Sequence, residues 1–349
     1  AQGRYVGIGI GCYVEITAFG SKTPASPGTP INPAHEAATV RIDPSGAVTV
    51  LCGVASTGQS HATSLAQVAA DGLGVRMESI RIISGDTSAT HYGLGTFASR
   101  SAVIAGGAVR QATSKLADKV RRIAASLLEA RPDDLEIDAG HVQVRGAPAT
   151  AIPLSQVAQL AYHQLKRLPE GEEPGLETTA YYDPQWGTSA NGVHIAMVEV
   201  DPETGSVTLL RYLAVEDCGS RINPMVVEGQ THGGVAQGIG SALFEELIYD
   251  EHGQLLTGSL MDYLLTSATE MPEIETHHLI TPSTVTLGGV KGAGEGGTLG
   301  AHAAVPNAIA DALRPLSVRL TETPLTPERI VAAIRNARGD DHSTQPRSR

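Results

Sequence analysis

A single carboxylate among four glycines is the strongest candidate for chemistry in this chain of 349 residues. Residues 291–297 read Lys-Gly-Ala-Gly-Glu-Gly-Gly and hold Glu295 where glycines, which lack a Cβ, let the backbone approach a ligand closely. A predicted helix over residues 303–313 follows, and the free N–H groups of a helix N-terminus favour a bound anion. The pattern predicts a cofactor-binding loop that carries a general base. A glycine-rich turn with a solvated glutamate is the alternative, and the segment alone leaves both open.

Three other segments combine glycines with polar side chains. Residues 57–61 place the Gln59 amide, both donor and acceptor, before a predicted helix over 62–72. Residues 93–101 place hydroxyls beside Arg100 before a helix predicted over 99–128, a combination that suits a phosphate. Helix caps and a surface arginine would explain both segments without a ligand.

The third segment, residues 233–240, surrounds Gln237 with four glycines inside a helical pattern. Each glycine in a helix costs about 1 kcal/mol relative to alanine, so such a run implies close packing against a ligand or another helix. Gln237 favours the ligand, because its amide suits the edge of a heterocycle.

Composition narrows the function classes. A net charge of −12 and a pI of about 5.4 argue against general nucleic-acid binding. Three cysteines lie far apart, and the histidines show no metal-ligand spacing, so neither an iron–sulfur cluster nor a structural zinc site is expected in this chain. No apolar run reaches the about 18–20 residues of a membrane span. We expect a reduced, cytoplasmic setting.

One pattern of elements occurs twice in the chain. Residues 38–50 and 196–209 each read as a β-hairpin whose turn opens with Asp-Pro and contains glycine, and each is followed by a Gln-bearing segment and a helix. We predict an α+β fold with mixed sheets and two pseudo-repeated lobes, over residues 1–170 and 171–338, with a disordered tail over 339–349. Helices are also predicted over 154–167, 235–247 and 326–337, and a strand over 75–84.

Together these segments resemble the molybdenum-binding large subunit of the molybdenum hydroxylases, the family of xanthine dehydrogenase, aldehyde oxidase and aerobic carbon monoxide dehydrogenase. The resemblance covers about residues 3–335 and lies with the second half of that subunit. The matching stretches occur in the family's order: 56–61, 93–101, 217–224, 228–238 and 292–295. It implies the molybdopterin-binding fold of the aldehyde oxidase/xanthine dehydrogenase type.

The resemblance also implies residue roles. Glu295 matches the catalytic glutamate, Gln237 the amide beside the metal, Gln59 a second cofactor-contacting glutamine, and Ser99 and Ser101 hydroxyls that hold the pterin or its phosphate. Ser60 stands where many relatives have glycine. The full set expected to contact the cofactor is Gln59, Ser60, His61, Thr96, Ser99, Arg100, Ser101, Gln237, Gly238, Gly292 and Gly294. No side chain is expected to ligate molybdenum, which the pterin holds.

The implied reaction is hydroxylation of a small substrate, an aromatic N-heterocycle or an aldehyde, with water as the oxygen source. Glu295 would act as general base on a molybdenum-bound hydroxyl. A molybdopterin cytosine dinucleotide is expected here, with iron–sulfur clusters and FAD on partner subunits. A subunit or segment carrying the first half of the large subunit, and a dimer of heteromers, are also implied. The alternatives are a carbon monoxide dehydrogenase fragment, a cofactor-binding or assembly module without catalysis, and a glycine-rich scaffold protein.

Overall fold

The computed structural model describes residues 4–24, 34–90 and 92–339. Its strands are β1 (Tyr5–Thr17), β2 (Glu36–Ile42), β3 (Val48–Cys52), β4 (Ile80–Ser84), β5 (Leu135–Asp138), β6 (His141–Val144), β7 (Ala147–Pro153), β8 (Glu177–Tyr182), β9 (Thr188–Val200), β10 (Val207–Asp217) and β11 (Ile274–Leu279). Its α-helices are α1 (His61–Leu73), α2 (Ser101–Leu128), α3 (Leu154–His163), α4 (Pro224–Leu243), α5 (Gly296–Leu313) and α6 (Pro327–Arg338).

One mixed sheet, in the order β1-β9-β10-β11, packs against α5, which in turn packs on α4. Its core is built from small aliphatic side chains of β9, β10 and these two helices. Glycines at alternate positions of β1 let α5 lie directly on the strand, since a Cβ on Gly9 would come within 2.1 Å of the Ala304 carbonyl oxygen. The glycine run at residues 7–11 therefore serves helix packing.

A second mixed sheet, in the order β4-β3-β2-β8, packs against α2 and, through β4, α1. The two predicted hairpins are confirmed as the antiparallel pairs β2–β3 and β9–β10. Each is followed by a helix that begins near or contains a Gln-bearing segment, α1 after the first hairpin and α4 after the second. Parallel pairing of β3 with β4 and of β10 with β11 makes both sheets mixed, as predicted.

The halves of the chain exchange strands. The first strand, β1, pairs along its whole length with β9, from Tyr5↔Val200 to Thr17↔Thr188. In return β8 pairs with β2 in the other sheet. A division at residue 170 thus leaves β1 and β8 each in the sheet of the opposite half, so the lobe limits remain a proposal based on sequence.

Several elements differ from prediction. Helix α5 begins at Gly296, directly after Glu295, and α4 begins at Pro224, whose fixed φ suits the first helical position beside the Asn223 cap. A three-stranded sheet, β5-β6-β7, was not predicted. Helix α3 ends at His163 and gives way to a 3₁₀ turn over Leu165–Arg167. Apart from Gly339, the predicted tail lies outside the described residues.

Candidate active site

Four helix N-termini converge on one cavity of about 420 Å³. Its wall includes the first residues of α1 and α2, His61 and Ser101, and the residues that precede α4 and α5, Asn223 and Glu295. Each helix N-terminus carries about half a positive charge and directs unpaired N–H groups outward. The cavity is therefore suited to a large anionic ligand although the chain as a whole is acidic.

Most of the predicted site residues line this cavity. They are Gln59, His61, Thr96, Ser99, Arg100, Ser101, Gln237, Gly294 and Glu295. Segments separated by more than 200 positions in the sequence thus meet at one place. Ser60, Gly238 and Gly292 are not part of the wall.

Glu295 lies where the glycine-rich loop enters α5. Its backbone carbonyl accepts from the N–H groups of Thr298 and Leu299, at 3.1 and 3.2 Å, and so starts the helix. Its side chain does not cap the helix, and the carboxylate has no hydrogen-bond partner among the described residues. It is consequently a free proton acceptor in the cavity.

The hydroxyl of Ser99 fixes this loop. It accepts the backbone N–H groups of Gly294 and Glu295, at 3.2 and 3.0 Å, and donates to the carboxyl group of Glu15. A hydroxyl has one proton and two lone pairs, so these three bonds use all of its capacity. All three partners are internal to the chain, and the role expected for Ser99, a hydroxyl that holds the pterin or its phosphate, stays a prediction.

Arg100 likewise has internal partners. Its side chain is 1% exposed and forms an ion pair with Glu36, which is also buried. Its guanidinium further donates to the carbonyls of Gly95, at 2.7 Å, and His35, at 3.2 Å. The guanidinium thus holds the turn before α2, and its part in binding the cofactor stays a prediction.

The three predicted residues outside the wall have structural roles. Gly238 lets α4 pack on α5, since a Cβ there would lie 2.5 Å from that of Ala301. Gly292 packs against the Ser99 backbone, where a Cβ would meet the carbonyl oxygen at 2.1 Å. Ser60, at φ 58°, is the left-handed residue that starts α1. Gly234 and Gly238 are thus explained by packing of α4 on α5, whereas a Cβ on Gly233 would meet nothing within 4 Å and one on Gly240 would meet the Glu245 carboxylate.

Other predicted side chains remain available to a ligand. The Gln237 amide is exposed in the cavity and has no partner among the described residues. His61 is 8% exposed, yet its Nδ1 has no partner within the described chain, and burial lowers its pKa. Gln59 uses its side-chain oxygen to accept from Thr57, whose hydroxyl lies 3.2 Å away, which leaves its NH₂ group as a donor. A buried orphaned nitrogen facing a cavity is expected where a polar ligand completes the site.

Arg221 is a cavity residue to which the sequence prediction gave no role. It is half-buried, and no carboxylate of the described residues pairs with it. The stretch 217–224 contains it and was among the segments that carry the resemblance, so the signal was present. An unpaired guanidinium beside four helix N-termini supplies the charge that a phosphate group requires.

A buried polar network lies beneath the glutamate loop. The Glu216 carboxylate accepts from Tyr13 at 3.0 Å, from Thr231 at 2.6 Å, and contacts His194 Nε2 at 3.2 Å. Burial alone would raise the pKa of Glu216, but these hydrogen bonds and the His194 charge hold it below its ordinary value. Gly296 leaves room for this network, because a Cβ there would lie 2.3 Å from the Tyr13 hydroxyl.

The described residues contain no cluster of three or more His, Cys, Asp or Glu side chains that would bind a metal. They also contain no helix both long and apolar enough to cross a membrane. The site instead offers unpaired amides, an orphaned imidazole nitrogen, a cation and helix N-termini around one free carboxylate. Such a donor set defines a protein that holds a large polar cofactor with its own reactive centre.

Comparison with known proteins identifies that cofactor class. Residues 1–272 match the molybdopterin cofactor-binding domain family. The large subunit of nicotine 6-hydroxylase from Paenarthrobacter nicotinovorans is 43% identical over 95% of this chain and 41% of its own length. The large chain of carbon monoxide dehydrogenase from Hydrogenophaga pseudoflava is 37% identical over 95% of this chain and 40% of its own length.

The structure of quinoline 2-oxidoreductase from Pseudomonas putida 86 superposes with a TM-score of 0.88 at 46% identity, over 96% of this chain and 42% of that one. The chain therefore belongs to the molybdenum hydroxylase family and corresponds to the C-terminal part of its large subunit. It spans about two fifths of the length of the curated relatives it matches.

Proposed function

We propose that this chain supplies the molybdopterin-binding part of a molybdenum hydroxylase that oxidises an aromatic N-heterocycle or an aldehyde, with water as the oxygen source and Glu295 as general base. The observation that carries the proposal is the carboxylate of Glu295, which has no partner among the described residues and belongs to a residue lining a cavity whose other groups suit an anionic cofactor. A carboxylate that forms no internal hydrogen bond or ion pair can accept a proton during turnover.

The residues of the cavity fit the cofactor. When bound, molybdopterin supplies a redox-active metal that takes up the two electrons removed from the substrate. The Gln237 amide and the Nδ1 atom of His61 provide the donors and acceptors that orient the pterin. Arg221 and the N-termini of α1 and α2 hold its phosphate, and of the possible forms we favour the cytosine dinucleotide. Glu295 takes the proton released by the reaction onto its carboxylate.

The substrate class follows from the relatives. Nicotine 6-hydroxylase and quinoline 2-oxidoreductase, at 43% and 46% identity, are named for aromatic N-heterocycles. Carbon monoxide dehydrogenase, at 37% identity, supports the second candidate, a fragment of a carbon monoxide oxidising enzyme. The higher identities favour the heterocycle. Turnover assays with quinoline, nicotine and carbon monoxide, followed by reduction of an artificial electron acceptor, distinguish the two.

The proposed partners are the remaining part of the large subunit, an iron–sulfur subunit and an FAD subunit, within a cytoplasmic dimer of heteromers. The outer face of β1 supports the first of these. Five aliphatic side chains on that face are between 43% and 73% exposed, and they are Val6, Ile8, Ile10, Val14 and Ile16. A contiguous row of exposed aliphatic side chains is typical of an interaction surface, so the remaining part of the large subunit is the expected cover.

The decisive experiment replaces Glu295 with glutamine in the assembled complex. Glu295→Gln keeps the size and polarity of the side chain but removes the proton acceptor. We expect kcat to fall by about 10²-fold or more while molybdenum content, measured by elemental analysis, stays unchanged. Glu322→Gln, a change at an exposed carboxylate remote from the cavity, is the matched control and should retain full activity.

Two results would contradict the proposal. A Glu295→Gln rate within about tenfold of wild type, a barrier change of only ~1.4 kcal/mol, would exclude the base role. A wild-type complex that binds molybdenum but oxidises none of the substrates tested would favour a cofactor-binding or assembly module.

A further inference from the structure

The inward face of β1 changes character along the strand. Its first part carries the glycines that pack on α5, whereas its last part carries Tyr13, Glu15 and Thr17 beneath the loop over residues 292–297. The Thr17 hydroxyl accepts the Gly292 N–H at 3.1 Å. This strand therefore supports the loop that presents the proposed base.

Glu15 is the acidic member of this row. It is 7% exposed, and its Oε1 accepts the hydrogen bond from Ser99. Because the Ser99 hydroxyl already accepts the N–H groups of Gly294 and Glu295, its single proton is directed to Glu15. Without that acceptor, the hydroxyl of the half-buried Ser99 would lose the internal partner of its proton.

The turn that presents Ser99 is strained. Ala98 and Ser99 are consecutive non-glycine residues with left-handed backbone, at φ 47° and 48°. Such residues cost on the order of 1–3 kcal/mol each and persist only where other contacts compensate. The three hydrogen bonds of the Ser99 hydroxyl contribute to that compensation, together with the backbone bond from Ala18 N–H to the Ala98 carbonyl at 3.3 Å.

The second oxygen of Glu15 is also informative. Its Oε2 is buried and has no partner among the described residues. It faces a small void of about 10 Å³ that is lined also by Glu216 and Gln230 and is close to the size of one water molecule. Burial raises the pKa of Glu15, and the charges of Glu295 and Glu216 add to that effect. Burying a carboxyl group with one unpartnered oxygen costs free energy. The other oxygen accepts the hydrogen bond from Ser99, which indicates that this bond has a function.

We propose that Glu15 is a positioning residue, which acts through Ser99 to fix the backbone of residues 294–295 and thereby the carboxylate of Glu295. The inference rests on the proposed function only where it concerns catalysis, since the effect on the loop is independent of the reaction.

The test compares Ser99→Ala, Glu15→Ala and Glu15→Gln in the assembled complex. The first readout is hydrogen exchange of the Gly294 and Glu295 amides, and the second is the effect on kcat and KM at unchanged molybdenum content. In both alanine variants we expect exchange of the two amides to rise about tenfold, the effect of losing one hydrogen bond. We expect kcat to fall about 10–100-fold, as a misplaced catalytic group costs, with little change in KM.

Glu15→Gln should restore both readouts, because its amide oxygen accepts the same hydrogen bond from Ser99. Ser79→Ala, which removes an exposed hydroxyl bonded to the Arg76 carbonyl, is the control for loss of a serine. Amide exchange within threefold of wild type in both alanine variants would overturn the inference, as would a Glu15→Gln variant as impaired as Glu15→Ala. Faster exchange with unchanged kcat would support the positioning role and exclude Glu295 as the base.

Discussion

Two glycines of one helix should respond in opposite directions to the same substitution. In α4, a Cβ on Gly238 would lie 2.5 Å from the Ala301 Cβ and 2.8 Å from the Thr298 carbonyl oxygen of α5. Non-bonded carbon atoms prefer about 3.5–4.0 Å, so Gly238→Ala requires the two helices to separate by about 1 Å. A Cβ on Gly229, nine residues earlier in the same helix, would meet nothing within 4 Å.

The magnitudes follow from two competing effects. Alanine is favoured over glycine within a helix by about 1 kcal/mol, whereas overpacking a close contact costs about 1–3 kcal/mol or more. Gly229→Ala should therefore stabilise the chain by up to about 1 kcal/mol, and Gly238→Ala should destabilise it by up to about 2 kcal/mol. Urea unfolding followed by circular dichroism measures both changes through the transition midpoint. A Gly238→Ala chain as stable as the Gly229→Ala chain would refute the packing explanation of the glycine run.

Two further predictions concern charge. Arg221→Gln should lower the molybdenum retained by the purified complex, because the cavity loses its unpaired cation. The control is Arg211→Gln, at a surface residue paired with Glu275, which should leave molybdenum retention unchanged. Equal retention in both variants would contradict the phosphate-binding role of Arg221. Since the folded-state pKa of Glu15 is raised above 4.5, its contribution to stability is present below that pH and is lost as the pH rises through the folded value. Glu15→Gln should thus match wild type in unfolding free energy in acid and exceed it at neutral pH, and a constant difference across the range would contradict that assignment.

Local chemistry was the part of the structure that the sequence predicted best. The Asp-Pro turns predicted both hairpins, and the helix predicted over residues 326–337 matches α6, where the Thr326 hydroxyl accepts the Arg329 N–H at 3.4 Å. Glycine-rich segments bearing Gln59, Gln237 and Glu295 do meet at one cavity. These signals are short-range, so a single sequence contains them.

What could not be predicted depends on partners distant in the chain. The residue types at Ser99 and Arg100 suit an anion, but their buried partners, Glu15 and Glu36, lie 84 and 64 positions away. A sequence pattern shows which groups can bond, not which groups have already been satisfied by the fold. The same limit applies to Gly238, whose neighbour across the helix interface, Ala301, is equally remote.

The pairing of β1 with the distant strand β9 affects how this chain folds during synthesis. Within this chain, β1 is translated well before its pairing partner β9, at residues 188–200, and before its covering helix α5. Until those segments have been translated, an aliphatic strand with an unpaired edge is exposed in the nascent chain, which is the condition that promotes aggregation. Strand β1 can therefore take its final place between β9 and α5 only after residues 188–313 have been translated.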